Sequence, residues 1–238
     1  MLPWNAEDLV FDETRFTGTV RLFPLPDLIM FPHVMQPLHI YEARYRDLLN
    51  EALDSDGLIA MSVLTPGWEG DYDGRPPILS HACLGKIVTH QRTDNGEYNV
   101  LLLGLRRVLI EKELPPLQSF READVTLLDD CGDTEVDDQR PGLQIALTKK
   151  FQESLPETQI SSPPMLSLLS AEIPLGALTD LVSFALPLEH ELKRDLLCET
   201  DVDQRAWMLL DALDTGPKVD SKRVAKSLAN YLPPFSLN

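Results

Sequence analysis

The sequence predicts an α+β protein in two parts, a small, partly closed β-barrel of about six strands with one helix, followed by an α-helical bundle. Three observations carry this. Short apolar runs bounded by turn residues fill the stretch from Thr19 to Leu128, an acidic segment from Asp129 to Asp138 interrupts them, and beyond it apolar residues recur at helical spacing. The expected organisation is an N-terminal arm (1–18), a barrel (19–128), an acidic linker (129–140), a helical bundle (141–215) and a C-terminal tail (216–238).

Each element has its own signal. The arm is acidic, with Trp4, Leu9, Val10 and Phe11 as apolar anchors that would pack across the body if the arm is ordered. Pro24, Pro26, Pro32 and Pro37 each lack a backbone donor and fix φ, so the chain from Arg21 to Leu38 is limited to short edge or crossing strands. Tyr45, Leu48, Leu49 and Ala52 then fall on one helical face, with Glu42, Arg46, Asp47 and Glu51 opposite and Asp56-Gly57 as the stop. Leu58 to Leu64 is an apolar run of strand length. Cys83 to Arg92 and Tyr98 to Leu105 flank Asp94-Asn95-Gly96, a hairpin signal because Asn-Gly tolerates positive φ. Arg107 to Leu114 and Ala123 to Leu128 supply two further strands, split by Pro115-Pro116.

Asp129 to Asp138 holds six acids in ten residues and no aromatic, and reads as a solvated connector. After it Leu143, Leu147, Phe151 and Leu155, and again Leu175, Leu178, Leu181, Val182 and Ala185, recur as helix faces, the second ending at Pro187. Trp207 and Met208 read as core of the last helix. The tail after Gly216-Pro217 is locally basic through Lys218, Lys222, Arg223 and Lys226. Its Val224, Ala225, Leu228 and Tyr231 form one helical face that would either dock back on this acidic protein or bind a partner.

Composition narrows the function. A chain of 238 residues with 43% apolar and 25% charged residues is ordinary globular material. The net charge of −17 repels polyphosphate and anionic lipid, so nucleic acid and membrane are not expected partners. Cys83, Cys131 and Cys198 are odd in number and far apart, which fits neither a disulfide framework nor a zinc site and points to a reducing, cytoplasmic setting. The N-terminus lacks the basic region of a signal peptide, and no apolar run is long enough to span a membrane.

The order of the pieces resembles the Lon protease N-terminal (substrate-binding) domain. Phe23-Pro24-Leu25, Phe31-Pro32, Pro37-Leu38 and Tyr41-Glu42 are similar to its opening. Gly85, Asn95-Gly96, Gly104 and Arg106 or Arg107 are similar to its central strands. Leu186-Pro187, Lys193 to Glu199 and Val202 to Arg205 are similar to the helices that follow. The resemblance covers residues 19 to 214 and implies a PUA-like pseudo-barrel joined to a helical bundle. It also implies a role in recognising proteins or unfolded polypeptide segments, with the ATPase and peptidase regions of Lon having no counterpart before Asn238.

Catalytic chemistry finds no motif. A P-loop needs a glycine five residues before its Gly-Lys and a hydroxyl after it, but Gly85-Lys86 has Ser80 and Ile87 at those positions. No G-x-S-x-G or H-E-x-x-H occurs. His33, His39 and Glu42 read as structural residues, and Glu69, Asp71 and Asp73 as solvated acids lacking the alternation of a calcium loop. The expectation is therefore no catalytic residue, no metal and no cofactor.

The candidate partner-binding residues are Trp68 and Tyr72 in the Gly-rich, Pro-bounded loop Thr65 to Pro77, with Met30, Phe31 and Met35 at the Phe-Pro turn. The loop aromatics would either grip an apolar segment of another chain or fold back as a lid. The turn residues would either contact a partner or pack in the core. The leading function is a non-catalytic protein-binding module, an adaptor or modulator of ATP-dependent proteolysis. The alternatives are a small-molecule-binding barrel and a peptidase with a site assembled from distant residues.

Overall fold

Six segments before residue 129 pair into one sheet: β1 (Thr19–Leu25), β2 (Met35–Ile40), β3 (Leu58–Val63), β4 (His81–Arg92), β5 (Tyr98–Glu113) and β6 (Arg121–Leu128), with helix α1 (Ala43–Leu53) between β2 and β3. The computed structural model describes residues 11–132, 140–155 and 173–215. The strand order is β2-β5-β4-β3-β1-β6, and β6 returns to β5. Five strands therefore close a barrel, and β2 lies outside it, paired with β5. The predicted barrel with one helix is present.

The prolines sit where the ladder does not need them. Pro24 pairs with Ser62 of β3 on one side, while the β1–β6 pairing ends at Leu22. A residue's N–H and C=O point to the same side of a strand, so the missing Pro24 donor costs no sheet bond, and its carbonyl accepts from the Tyr45 hydroxyl at 3.1 Å. On the outer strand Pro37 removes a donor and the Gln36 amide donates to the Pro37 carbonyl at 2.8 Å, which blunts an otherwise open edge.

β5 differs from expectation. The sequence suggests two strands, Tyr98 to Leu105 and Arg107 to Leu114, but one 16-residue strand runs through both. Register shifts against β4 at Leu84/Gly85 and against β6 at Ile110/Lys112 let it bend, so that it serves β2 and β4 with its first half and β4 and β6 with its second. Gly104 marks the tightest approach. A Cβ there would lie 2.1 Å from the Phe31 carbonyl oxygen, and the Phe31-Pro32-His33 turn is laced to it by His33 N–H to Gly104 O at 2.9 Å and Gly104 N–H to Val34 O at 2.8 Å. The Asn95-Gly96 hairpin forms with Gly96 at φ 79°, and Thr93 and Glu97 closing the loop at 2.8 Å.

The barrel is filled by small and branched side chains from β1, β3, β4, β5 and β6, among them Val20, Leu22, Ala60, Leu84 and Val108. Phe11 and Phe16 meet edge to face at 5.7 Å and pack against this cluster. α1 buries Tyr45, Leu48, Leu49 and Ala52, the face its spacing predicts, and Gly57 at φ 70° follows as the stop. The remaining arm residues, including Trp4, Leu9 and Val10, lie outside the described residues, as does the whole basic tail.

The chain divides into two units, Met1–Leu128 and Asp129–Asn238. The second contains α2 (Arg140–Ser154), α3 (Leu175–Ala185), α4 (His190–Cys198) and α5 (Val202–Thr215). α2 buries Leu143, Leu147 and Phe151, and α3 buries Leu178, Leu181, Val182 and Ala185, as their periodicities require. At the centre is Arg205, fully buried, whose guanidinium donates to both carboxylate oxygens of Asp130 at 2.8 and 2.5 Å, to the Thr179 hydroxyl at 3.1 Å and to the Glu199 carbonyl at 3.0 Å. One side chain thus ties α3, the end of α4 and α5 to the segment before α2.

Two expectations are corrected here. Asp130 is not a solvated connector residue, because a buried cation on α5 needs its charge. Cys131 beside it pairs with Thr200 and Val202 through backbone bonds, while residues 133–139 lie outside the described residues. Trp207 is not core but 56% exposed. α5 buries Val202, Arg205, Ala206, Leu209 and Leu210, and Trp207 lies about 200° around the helix from Arg205, on the opposite face. Met208 is half-buried.

Candidate functional site

The loop between β3 and β4 leaves and returns through a closed neck. Thr65 N–H donates to the Pro77 carbonyl at 2.9 Å, and Leu64 bridges Ile78. Between these points Gly67 takes φ 94°, which starts a single 3-10 turn over Trp68–Gly70. Asp71 N–H closes that turn on the Trp68 carbonyl at 3.0 Å. The turn brings Trp68 and Tyr72 edge to face, ring centroids 5.5 Å apart.

Tyr72 is tethered to the start of α1. Its hydroxyl donates to Glu42 Oε1 at 2.8 Å, and Arg44 Nη1 donates to the Tyr72 carbonyl at 3.1 Å. The Arg44 guanidinium lies 4.6 Å from the Tyr72 ring centroid and 5.0 Å from that of Tyr45. Glu42 Oε2 accepts from Arg44 Nε at 3.1 Å and Nη2 at 3.0 Å. Burial, helped by the bond to Glu42, raises the Tyr72 phenol above its ordinary pKa, and burial raises that of Tyr45 further, so both hydroxyls stay protonated donors.

Under this loop is a cavity of about 220 Å³. Its floor is apolar, with Pro24, Tyr45, Leu64 and Phe120. Its walls carry Tyr72, Arg44, Arg75 and Arg121. Arg121 is 7% exposed and fixed by Glu113 at 2.8 and 2.5 Å and by the Pro76 carbonyl at 2.9 Å. Leu117, whose neighbours Pro116 and Gln118 line the cavity, is 86% exposed. A second, larger groove of about 620 Å³ runs along Phe11, Phe16, Arg21, Asp56 and Lys86.

Of the five candidates Tyr72 alone lines this cavity; Trp68 packs edge to face on Tyr72 without lining it, and the other three lie away from both. Met30 and Phe31 are 1% and 0% exposed, buried where the Phe-Pro turn meets Gly104, so they have no surface to offer a partner. Met35 is half-buried on β2 and does not line the cavity. His39 faces Asn99 at 2.9 Å and Glu97 at 3.1 Å, and among the described residues no group of three His, Cys, Asp or Glu is placed to hold a metal ion. Sequence reasoning missed Arg44, Arg75, Arg121 and Leu117. The one available signal was Arg75, which stands inside the loop already singled out.

Comparison with known proteins gives one consistent result. The profile of the ATP-dependent protease La (LON) substrate-binding domain matches residues 19–215. The chain is 23% identical to a Lon protease of Xanthomonas oryzae over 95% of its own length and 26% of that relative's. It is 26% identical to Lon protease 1 of Bacillus subtilis over 84% of its length and 26% of the relative's. It thus spans about a quarter of the curated relatives it matches. The N-terminal domain of a Mycobacterium avium complex Lon protease superposes with a TM-score of 0.66 at 20% identity, covering 84% of this chain and 100% of that one. A Lon N-terminal domain protein from Xanthomonas campestris gives 0.60 at 19% identity, covering 81% and 96%. No helix among the described residues is long and apolar enough to cross a membrane.

Proposed function

Because this chain belongs to the Lon substrate-binding domain family over residues 19–215, we propose that it is a non-catalytic recognition module for polypeptide segments that expose apolar side chains, acting as an adaptor or modulator of ATP-dependent proteolysis. The observation that carries the reading is the tethered loop, with Tyr72 lining an apolar-floored cavity, Trp68 packed edge to face on it and Leu117 exposed near the same cavity. Rigid aromatics present contact area at low entropic cost, which suits an unfolded client that must itself be ordered on binding. The surrounding negative charge opposes nonspecific collapse onto the rest of the surface.

The test is retention of a chemically unfolded reporter protein by the immobilised chain. Trp68→Ala and Tyr72→Ala should each weaken retention about 10-fold or more, the effect of removing an aromatic anchor, with the thermal midpoint of the protein monitored as the folding control. Retention by both variants equal to that of the parent would discard the reading. A second reading, small-molecule binding, is favoured by the groove of about 620 Å³, a volume within the usual range for ligand sites. A metabolite that raises the thermal midpoint would support it.

A further inference from the structure

We propose that the cavity under the 65–77 loop is a carboxylate-recognition pocket that takes one apolar group of about the size of an aromatic side chain bearing a carboxylate, a refinement that rests on the recognition reading above. The chain carries a net charge of −17, yet three guanidiniums line this one cavity against a single lining carboxylate, Asp73. A guanidinium has five N–H donors. Arg121 and Arg44 are already balanced by Glu113 and Glu42 and are held rigid by those bonds, so they act as fixed walls.

Arg75 is different. It is exposed at the rim and its Nη1 donates to the Leu114 carbonyl at 3.0 Å, but no carboxylate among the described residues lies within ion-pair distance of it. Most of its donor fork is left for a ligand. Asp73, exposed at the same rim, is the one carboxylate among the lining residues, and the Ser119 proton is already given to Asp47 at 2.7 Å, so the free donors facing a ligand come from Arg75. A donor-rich wall over an apolar floor is complementary to a group that is greasy at one end and anionic at the other.

Size and charge narrow the ligand. A dry cavity of about 150 Å³ accepts benzene, so about 220 Å³ accommodates a phenyl ring and a carboxyl group. One planar fork matches one carboxylate. A phosphate would bring a second negative charge past Asp73 and leave the apolar floor unused. The same chemistry has two sources, a free aryl or alkyl carboxylic acid and the carboxylate end of a polypeptide.

The experiment is calorimetric titration of the full chain with 3-phenylpropionate and 3-phenylpropanamide, and with two peptides of identical sequence ending in phenylalanine, one as the free acid and one as the amide. The acids should bind about tenfold tighter than the amides, the value of one charge-assisted hydrogen bond. Arg75→Gln should erase that preference and Asp73→Asn should increase affinity for the acids, both at exposed positions where a merely structural role would move neither. Preference for both acids assigns the pocket to polypeptide ends, and preference for the small acid alone assigns it to free acids. Equal binding of acid and amide, or an acid preference that survives Arg75→Gln, would overturn the proposal. Retention of unfolded clients without acid preference would sink the pocket chemistry alone. Acid preference without client retention would uphold the pocket and remove the recognition reading, and absence of both would sink the two together.

Discussion

Replacing Gly104 by alanine should be the most damaging single-methyl change in the barrel. The added Cβ would sit 2.1 Å from the Phe31 carbonyl oxygen, 3.0 Å from its carbon and 3.1 Å from Pro32 Cα, all backbone atoms that cannot rotate away. To relieve the contact the Phe-Pro turn must move, breaking the 2.9 Å bond from His33 and the 2.8 Å bond to Val34. Those two bonds contribute about 2 kcal/mol together. Moving the turn also disturbs Met30 and Phe31, which are 1% and 0% exposed, and brings the expected loss to about 3–5 kcal/mol. The measurement is native-state hydrogen exchange of barrel amides in rising urea. Two comparisons calibrate it. Gly85→Ala meets the flexible Leu102 side chain at 2.7 Å and should cost about 1–3 kcal/mol, while Gly70→Ala meets nothing within 4 Å and should stay within about 0.5 kcal/mol. A Gly104→Ala protein as protected as Gly70→Ala would refute the reasoning, because it would mean that the turn does not lie against β5.

In the helical unit, Arg205→Met should destabilise by about 3–5 kcal/mol because it strands the Asp130 carboxylate, whereas Trp207→Ser two positions away should cost less than about 0.5 kcal/mol; thermal melts of the two variants should separate clearly. Burial lowers the Lys193 amine to about 8, so the unfolded chain holds this proton more tightly than the folded one. Its penalty is complete below pH 8 and fades as pH rises through 8 to 10.5, so Lys193→Met should gain about 1–3 kcal/mol at neutral pH and lose the parent's rise in stability over that window, as read by urea midpoints at several pH values.

What the sequence discloses depends on how local the cause is. The α1 face, the Asn95-Gly96 turn and the α2 and α3 stripes are written in spacings of a few residues, and each appears where those spacings put it. β5 reads as two strands in the sequence because its continuity depends on bulges negotiated with β4 and β6, and these leave no local mark. Asp130 reads as solvated among other acids because its partner, Arg205, lies 75 residues away. The hydrophobicity of Trp207 suggests core, but the helix phase, set by Val202, Ala206 and Leu209, decides the matter. The cavity was the least legible feature. Arg44 stands in the first turn of α1, Arg75 in the β3–β4 loop and Arg121 at the start of β6, and only closure of the sheet makes them neighbours of one space.

That closure also sets an order of events during synthesis. Among the described residues β1 is the first strand made, and its antiparallel partner β6 follows about a hundred positions later, with Thr19 opposite Asp124. Until residue 121 has left the ribosome, the nascent sheet has two raw margins at which other extended chains could join. The ring is sealed by its youngest strand, so this half of the molecule gains its full kinetic protection only at the end, in the manner of topologies dominated by distant pairings.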